Sequence, residues 1–263
     1  MRSKVTSAIA LATACAAVGC APLVHVRSAE LTRPGQVRVS GATSVMNEEV
    51  SSRSLPPFGH GAEESARRGS LSWDALELTA GVGVFDRMEI DIFGGMSRQA
   101  AELRVAVLEQ WRGDPFSLAV GFAGGHAFRW IPSTIQFGHD ANGPAPFARV
   151  AIDWSVRPVP WLLLVANYAL GVEPWTSSNG VYVSGDELRV LAGAGIGIAP
   201  PSSDGSGARL ILGFSVEGGL LALSRRTVGI SCCTGVAAST PIAATPGLAF
   251  ALSLGVEGVI STQ

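Results

Sequence analysis

Past residue 35 the chain keeps returning to one pattern, a large apolar residue at every second position, and few folds accept that pattern. It is clearest near the end, where Leu248, Phe250, Leu252, Leu254, Val256 and Ile260 alternate with Gly247, Ala249, Ala251, Ser253, Gly255 and Glu257. Residues 208–220 repeat it, with Leu210, Leu212, Phe214, Val216 and Leu220 set against Arg209, Gly213, Ser215 and Glu217. In residues 147–156, Val150, Ile152, Trp154 and Val156 oppose Arg149, Ala151, Asp153 and Ser155. Successive side chains of a strand point to opposite faces, so each segment is a strand with one bulky apolar face and one small or charged face. A soluble sandwich turns its bulky apolar face inward and shows bulky polar residues outside. Here the second face is mostly Gly, Ala and Ser with isolated charges, which suits a narrow, wet barrel interior with lipid outside.

Composition points the same way. Hydrophobic residues make up 47% of the chain and charged residues only 15%, with 32 glycines, whereas soluble domains carry about 25% charged residues. Yet beyond the first twenty residues no run of 18 apolar residues exists to make a spanning helix. An apolar chain without spanning helices satisfies its backbone in lipid only as a closed barrel. The formal charge of −2 is not that of a nucleic-acid binder, which needs a basic face. Lys4 is the only lysine, so downstream of it there is neither Schiff-base nor Walker-type phosphate chemistry.

The pattern predicts ten strands, at about 36–46, 72–84, 87–96, 101–111, 115–127, 146–157, 161–171, 187–198, 208–221 and 246–260. The links between them alternate in length. Those near Phe85-Asp86-Arg87, Arg112-Gly113-Asp114 and Arg157-Pro158-Val159-Pro160 are tight turns, and the Pro200–Gly205 link is moderately short. The links 47–71, 128–145, 172–186 and 222–245 are longer, and 97–100 is a short exception. Short turns at one end and longer loops at the other are the habit of an up-and-down outer-membrane barrel. The expected fold is therefore all-β, an antiparallel up-and-down transmembrane β-barrel of about ten strands.

The first twenty residues carry a separate message. Arg2 and Lys4 form a basic n-region, and Val5 to Val18 is an alanine-rich apolar stretch too short to span a bilayer. It closes on Ala17-Val18-Gly19-Cys20, which resembles the lipobox of bacterial lipoproteins. That resemblance implies cleavage before Cys20, lipid on its thiol and acylation of the new amine. Removal of residues 1–19 takes away Arg2 and Lys4 and leaves a formal charge of −4. The expected organisation is a signal peptide at 1–19, a lipidated tether at 20–35 and a barrel at 36–263. Ala21 after the cysteine suggests the outer membrane. Together with the strand pattern over residues 36–261, the chain resembles a bacterial outer-membrane β-barrel of the small OmpA/OmpW-like kind. Strand phase then puts the lipidated N-terminus and the C-terminus both on the periplasmic side.

Folding the strands places Glu77, Glu89, Asp91, Arg104, Arg149, Asp153, Arg189, Arg209, Glu217 and Glu257 in the lumen. Unpaired charges there are costly, so pairing across strands into a salt-bridged filling is expected, with a polar pathway as the other reading. Catalysis is not expected. His139-Asp140 and His126 fall near the outer rim, as in ten-stranded outer-membrane proteases, but no spaced acidic partner accompanies them. Cys232 and Cys233 are adjacent in a loop without further ligands and make no metal site. Gly193-Ala194-Gly195-Ile196-Gly197 runs into Pro200-Pro201 rather than a helix, and so reads as a smooth strand face and not a dinucleotide loop. Trp73, Trp111, Trp130, Trp161 and Trp175, with Phe85 and Phe116, fall near strand ends as interfacial girdles do. The sequence thus describes a lipid-anchored, non-enzymatic outer-membrane barrel with a structural, surface-interaction or small-solute permeation role. No cofactor is implied, and the partners expected are outer-membrane lipids, small solutes or surface ligands. Two other readings remain open: a lipocalin-like barrel with an apolar ligand inside, and a protease or lipase with a rim site.

Overall fold

The computed structural model describes residues 24–48, 53–54, 63–64, 70–95, 98–128, 144–178, 181–200, 206–230, 233–236 and 248–261. Ten long strands form one closed antiparallel barrel. They are β1 (Gln36–Glu48), β2 (Ser70–Phe85), β3 (Met88–Gly94), β4 (Arg98–Leu108), β5 (Ser117–Phe128), β6 (Pro144–Val159), β7 (Leu162–Ser178), β8 (Val181–Ile198), β9 (Gly207–Ile230) and β10 (Leu248–Ser261). Each strand pairs with its neighbour in sequence, and β1 pairs with β10 to close the ring. The closing register runs from Gln36↔Ser261 to Glu48↔Ala249, so no long edge is left to seek another partner. Two short ladders lie outside the barrel proper: Arg53–Ser54 with Glu63–Glu64, and Cys233–Val236 against the end of β9.

The face assignment follows the alternation. Ile92, Phe122, Phe214, Leu252 and Val256 are about half exposed or more on the outside. Their strand neighbours Asp91, Gly121, Ser215, Ala251 and Glu257 are buried inside. An outer surface so apolar and so continuous is one that meets lipid. The lipocalin-like arrangement would point Phe250, Leu252 and Leu254 inward, and all three point out. Phe85, Trp111 and Trp161 are exposed at the short-turn end, where an aromatic girdle belongs. Trp130, and the side chains of Trp73 and Trp175, lie outside the described residues.

The short-turn end is built tightly. Asp86 and Arg87 connect β2 to β3. Between β4 and β5, Gln110–Arg112 make one 3₁₀ turn that stops at Gly113, whose φ of 101° suits glycine alone without strain. Asp114 then accepts a hydrogen bond from the Glu109 backbone N–H at 2.7 Å. At the opposite end the strands run further than the hydropathy pattern suggests. The link expected at 172–186 is mostly a continued β7–β8 hairpin, paired to Tyr182↔Ser178, and β9 extends to Ile230 beyond the expected 221. Above the bilayer neither face has to be apolar, so the alternation fades while the backbone ladder continues.

One segment departs from expectation. Residues 24–34, read from sequence as part of a tether hanging from the barrel, run inside it. Val24, His25, Val26, Ser28, Ala29, Leu31 and Thr32 are all buried. The segment turns back at Pro34-Gly35, where Pro34 bridges Gly83 of β2, and enters β1 at Gln36.

Candidate functional site

The inner segment is seated on the small face of the wall. Val26 packs where β8 and β9 present Gly193, Gly195 and Gly213, and a Cβ on Gly193 or Gly195 would come within 3.0 Å of its methyl groups. At Gly213 a Cβ would collide with the Val26 side chain outright. Gly83 passes so close to the backbone of Thr32 and Arg33 that no side chain fits between them. The glycine-lined strand face in β8 is therefore a groove for another piece of the same chain. Gly213→Leu is expected to push Val26 from this seat. Protease added to the purified barrel should then cleave residues 24–32 in the variant, while the parent stays intact.

Arg27 stands at the centre of the filling. Its Nη1 and Nη2 reach Glu102 Oε2 and Oε1 at 2.6 and 2.8 Å, and its Nε reaches Asp153 Oδ2 at 2.9 Å. A guanidinium fork suits such a site because it holds one carboxylate with two bonds and a second with another. Arg104 donates to Asp153 at 2.9 Å and to the Ser28 carbonyl at 2.6 Å. Arg149 donates to Glu102 at 3.0 Å. Asn167 closes the ring, donating to Asp153 Oδ1 at 2.6 Å while its Oδ1 accepts from the Arg27 backbone N–H at 3.1 Å.

Two smaller groups fasten the rest of the segment. The Thr32 backbone N–H donates to Glu89 Oε2 at 2.7 Å, and Arg38 bridges Glu89 and Asp91 on β3, lying 2.7 Å from the latter. Lower down, Glu30 accepts from Arg157 Nε and Nη2 at 2.6 and 2.8 Å and pairs with Arg209 at 3.1 Å.

The ten charges expected in the lumen are all buried or nearly so. They meet in groups that Arg27 and Arg104 link, Arg27 joining Glu102 to Asp153 and Arg104 lying 3.9 Å from Glu89. Arg104 joins Asp153, Arg189 joins Glu217 at 3.0 Å, and Arg209 lies 3.6 Å from Glu257, opposite it in the β9–β10 register. Glu77 stands 4.0 Å from Arg98. Glu89 and Asp91 gather on Arg38, and Arg149 goes to Glu102. Sequence reasoning missed Arg38, Arg98 and Glu102, although Arg98 and Glu102 lie an even number of residues from Arg104 on the same strand; no expected lumen charge shares β1 with Arg38. It also missed Arg27 and Glu30, which no strand pattern flags.

Two open spaces border the segment. A cavity of about 40 Å³ beside Val24–Arg27, Arg38 and Arg149 has room for a few waters at most. At the short-turn mouth a vestibule of about 450 Å³ is lined by Glu30, Arg33, Trp111, Arg157, Pro200 and Arg209. Among the described residues no cluster of His, Cys, Asp and Glu could hold a metal ion. His126, one of the rim residues considered for catalysis, lies on the exposed face of β5, away from the lumen. His139, Asp140 and Cys232 lie outside the described residues, as does the side chain of Cys233.

No family model matches this chain, and no curated protein matches it. Among solved structures it is similar to a FadL homologue of Pseudomonas aeruginosa, at 8% identity and a TM-score of 0.27, over 87% of this chain and 90% of that one. It is also similar to OccK11 (OpdR) of Pseudomonas aeruginosa, at 8% identity and a TM-score of 0.24, over 90% of this chain and 100% of that one. Likenesses this remote carry no argument about function, which rests on the geometry of the lumen.

Proposed function

We propose that this protein is a lipid-anchored, non-enzymatic outer-membrane barrel that is closed at rest and conducts small solutes only when its inner segment leaves the bore. The observation that carries the reading is the seating of residues 24–32 in the lumen, beside which a cavity of about 40 Å³ lies. The lipid anchor is assigned to Cys20 on the strength of the Ala17-Val18-Gly19-Cys20 motif. The outer membrane is assigned on the closed barrel with its apolar exterior, since such barrels are the β-structure that lipid tolerates. Outer-membrane lipids are then the first partners, and the loops at the long end are where a surface ligand would meet the barrel. A rim protease or lipase is the less favoured reading, because the lumen carboxylates of Glu30, Glu89, Glu102 and Asp153 are engaged by arginines.

Deleting Val24–Leu31 tests the permeation part directly. Reconstituted in planar bilayers, the parent is expected to show small, intermittent conductance and the deletion variant a large, steady one. Steady conductance of equal size in both would mean that the segment does not close the bore. Absence of conductance in both would leave the barrel a structural or surface-interaction protein.

A further inference from the structure

The vestibule at the short-turn mouth is rich in arginine, and its arginines are unequally paired. Arg157 and Arg209 converge on one carboxylate, that of Glu30, at 2.6, 2.8 and 3.1 Å. Arg209 has a second, longer partner in Glu257 at 3.6 Å. Arg33 lines the same space, and among the described residues no carboxylate stands within ion-pair distance of it. Its guanidinium lies instead over the ring of Trp111, 4.1 Å from the centroid. A planar guanidinium stacked on an aromatic face keeps the N–H groups of its edge available for an anion. Arg112, 4.4 Å from the same ring, is already occupied, with its Nε 2.6 Å from Glu109. The scaffold around these groups is fixed by two clasps. Gln110 donates from Nε2 to the Arg157 carbonyl at 3.2 Å and accepts at Oε1 from the Arg157 N–H at 2.8 Å, which ties β6 to the turn that carries Trp111. The Arg33 N–H donates to Gln36 Oε1 at 3.0 Å, and its carbonyl accepts from the Gln36 N–H at 2.9 Å. Groups held in place beforehand lose little freedom when a ligand arrives.

We infer that this vestibule binds a small organic dianion, a solute with an acidic oxyanion group at each end, and that Glu30 occupies one of its two seats in the resting barrel. Arg157 and Arg209 make the first seat, and Arg33 over Trp111 makes the second. Glu30 shows the chemistry of the first seat, since one arginine fork and a second guanidinium hold its carboxylate together. The second seat offers the same kind of donor with no carboxylate of the described chain upon it. A volume of about 450 Å³ is that of a small-molecule site. An incoming dianion competes with Glu30 for the same N–H groups, so its binding loosens the inner segment at this end. The use of that release to open the bore rests on the permeation reading above; the binding site does not.

The probe is glutarate, a free counterpart of the Glu30 side chain with a second carboxylate for Arg33. Its binding to the purified protein in a neutral detergent is measured by calorimetry. Arg33→Gln is expected to lower the affinity about tenfold or more, the scale of a hydrogen bond to a charged group. Glu30→Gln removes the charge of the internal competitor and is expected to raise the affinity about tenfold. Arg87→Gln, at the same end but outside the vestibule, controls for the general field of that mouth and should change the affinity by less than about twofold. Absence of binding to the parent, equal losses in Arg33→Gln and Arg87→Gln, or weaker binding to Glu30→Gln each overturn the inference. A lipid headgroup carries the same oxyanion chemistry, so binding is repeated in phosphatidylcholine vesicles with and without phosphatidylglycerol. Unchanged glutarate binding marks a solute site, whereas its loss gives the site to the headgroup and overturns the solute. Protease access to residues 24–32, with and without saturating glutarate, reads the release of the segment. Faster cleavage with glutarate is expected, and unchanged cleavage overturns the competition with Glu30. None of these readouts is a conductance, so failure of the permeation reading and failure of this site are separate results.

Discussion

Arg27→Ala is expected to destabilise the barrel by about 3–5 kcal/mol, the cost of removing one partner from a buried ion-pair cluster. The substitution leaves Glu102 with Arg149 alone and Asp153 with Arg104 and Asn167, each short of a bond it now holds at 2.6–2.9 Å. It also frees the middle of the inner segment, so the loss of stability should come with easier displacement of that segment. Urea unfolding of the protein refolded into lipid vesicles, followed by tryptophan fluorescence, measures the first effect. Protease access to residues 24–32 measures the second. Arg27→Lys keeps the charge but has no fork to hold Glu102 twice, so it should fall between the parent and alanine. A loss below about 1 kcal/mol for alanine, the scale of an exposed ion pair, would show that the cluster is reached by water and not sealed.

Leu254→Arg comes next in expected size. Leu254 lies midway along β10 on the outer face, between Thr43 of β1 and Leu212 of β9, and is 45% exposed. If that face meets lipid, an arginine near the bilayer midplane should cost about 2–4 kcal/mol of folding stability in membranes. Ala251→Ser, on the buried inner face of the same strand, adds one hydroxyl in a polar surrounding and should cost far less. Folding yield into vesicles, read from the heat-dependent gel migration of the closed barrel, ranks the two variants. Equal tolerance of both would place the outer face in water and remove the membrane-spanning assignment.

Much of the barrel is legible in the chain because a membrane wall imposes period two on every strand. Val150, Ile152 and Trp154 must be apolar because lipid is outside, while Arg149, Ala151 and Asp153 must be small or polar because the bore is narrow. Strand number, face and the short-turn end all follow from that local rule. Where the rule lapses, so does the reading. β7 and β8 continue to Ser178 and from Val181 through residues without the alternation, since neither face is in lipid there.

What the sequence determined alone was therefore the wall: ten strands and their inward charges. What only the tertiary structure decided was the content of the bore. Residues 24–32 form no helix or strand of their own, so no periodicity marks them, and Arg27 or Glu30 by itself looks like any solvated charge of a tether. Their place depends on partners more than a hundred positions away in several cases, as with Asp153, Asn167 and Arg157. The glycines of β8 and β9 and the carboxylates of β4 and β6 become a seat only after the ring has closed and brought them around one axis. Closure is a property of all ten strands together, and the segment that fills the barrel can be read only from the space it leaves.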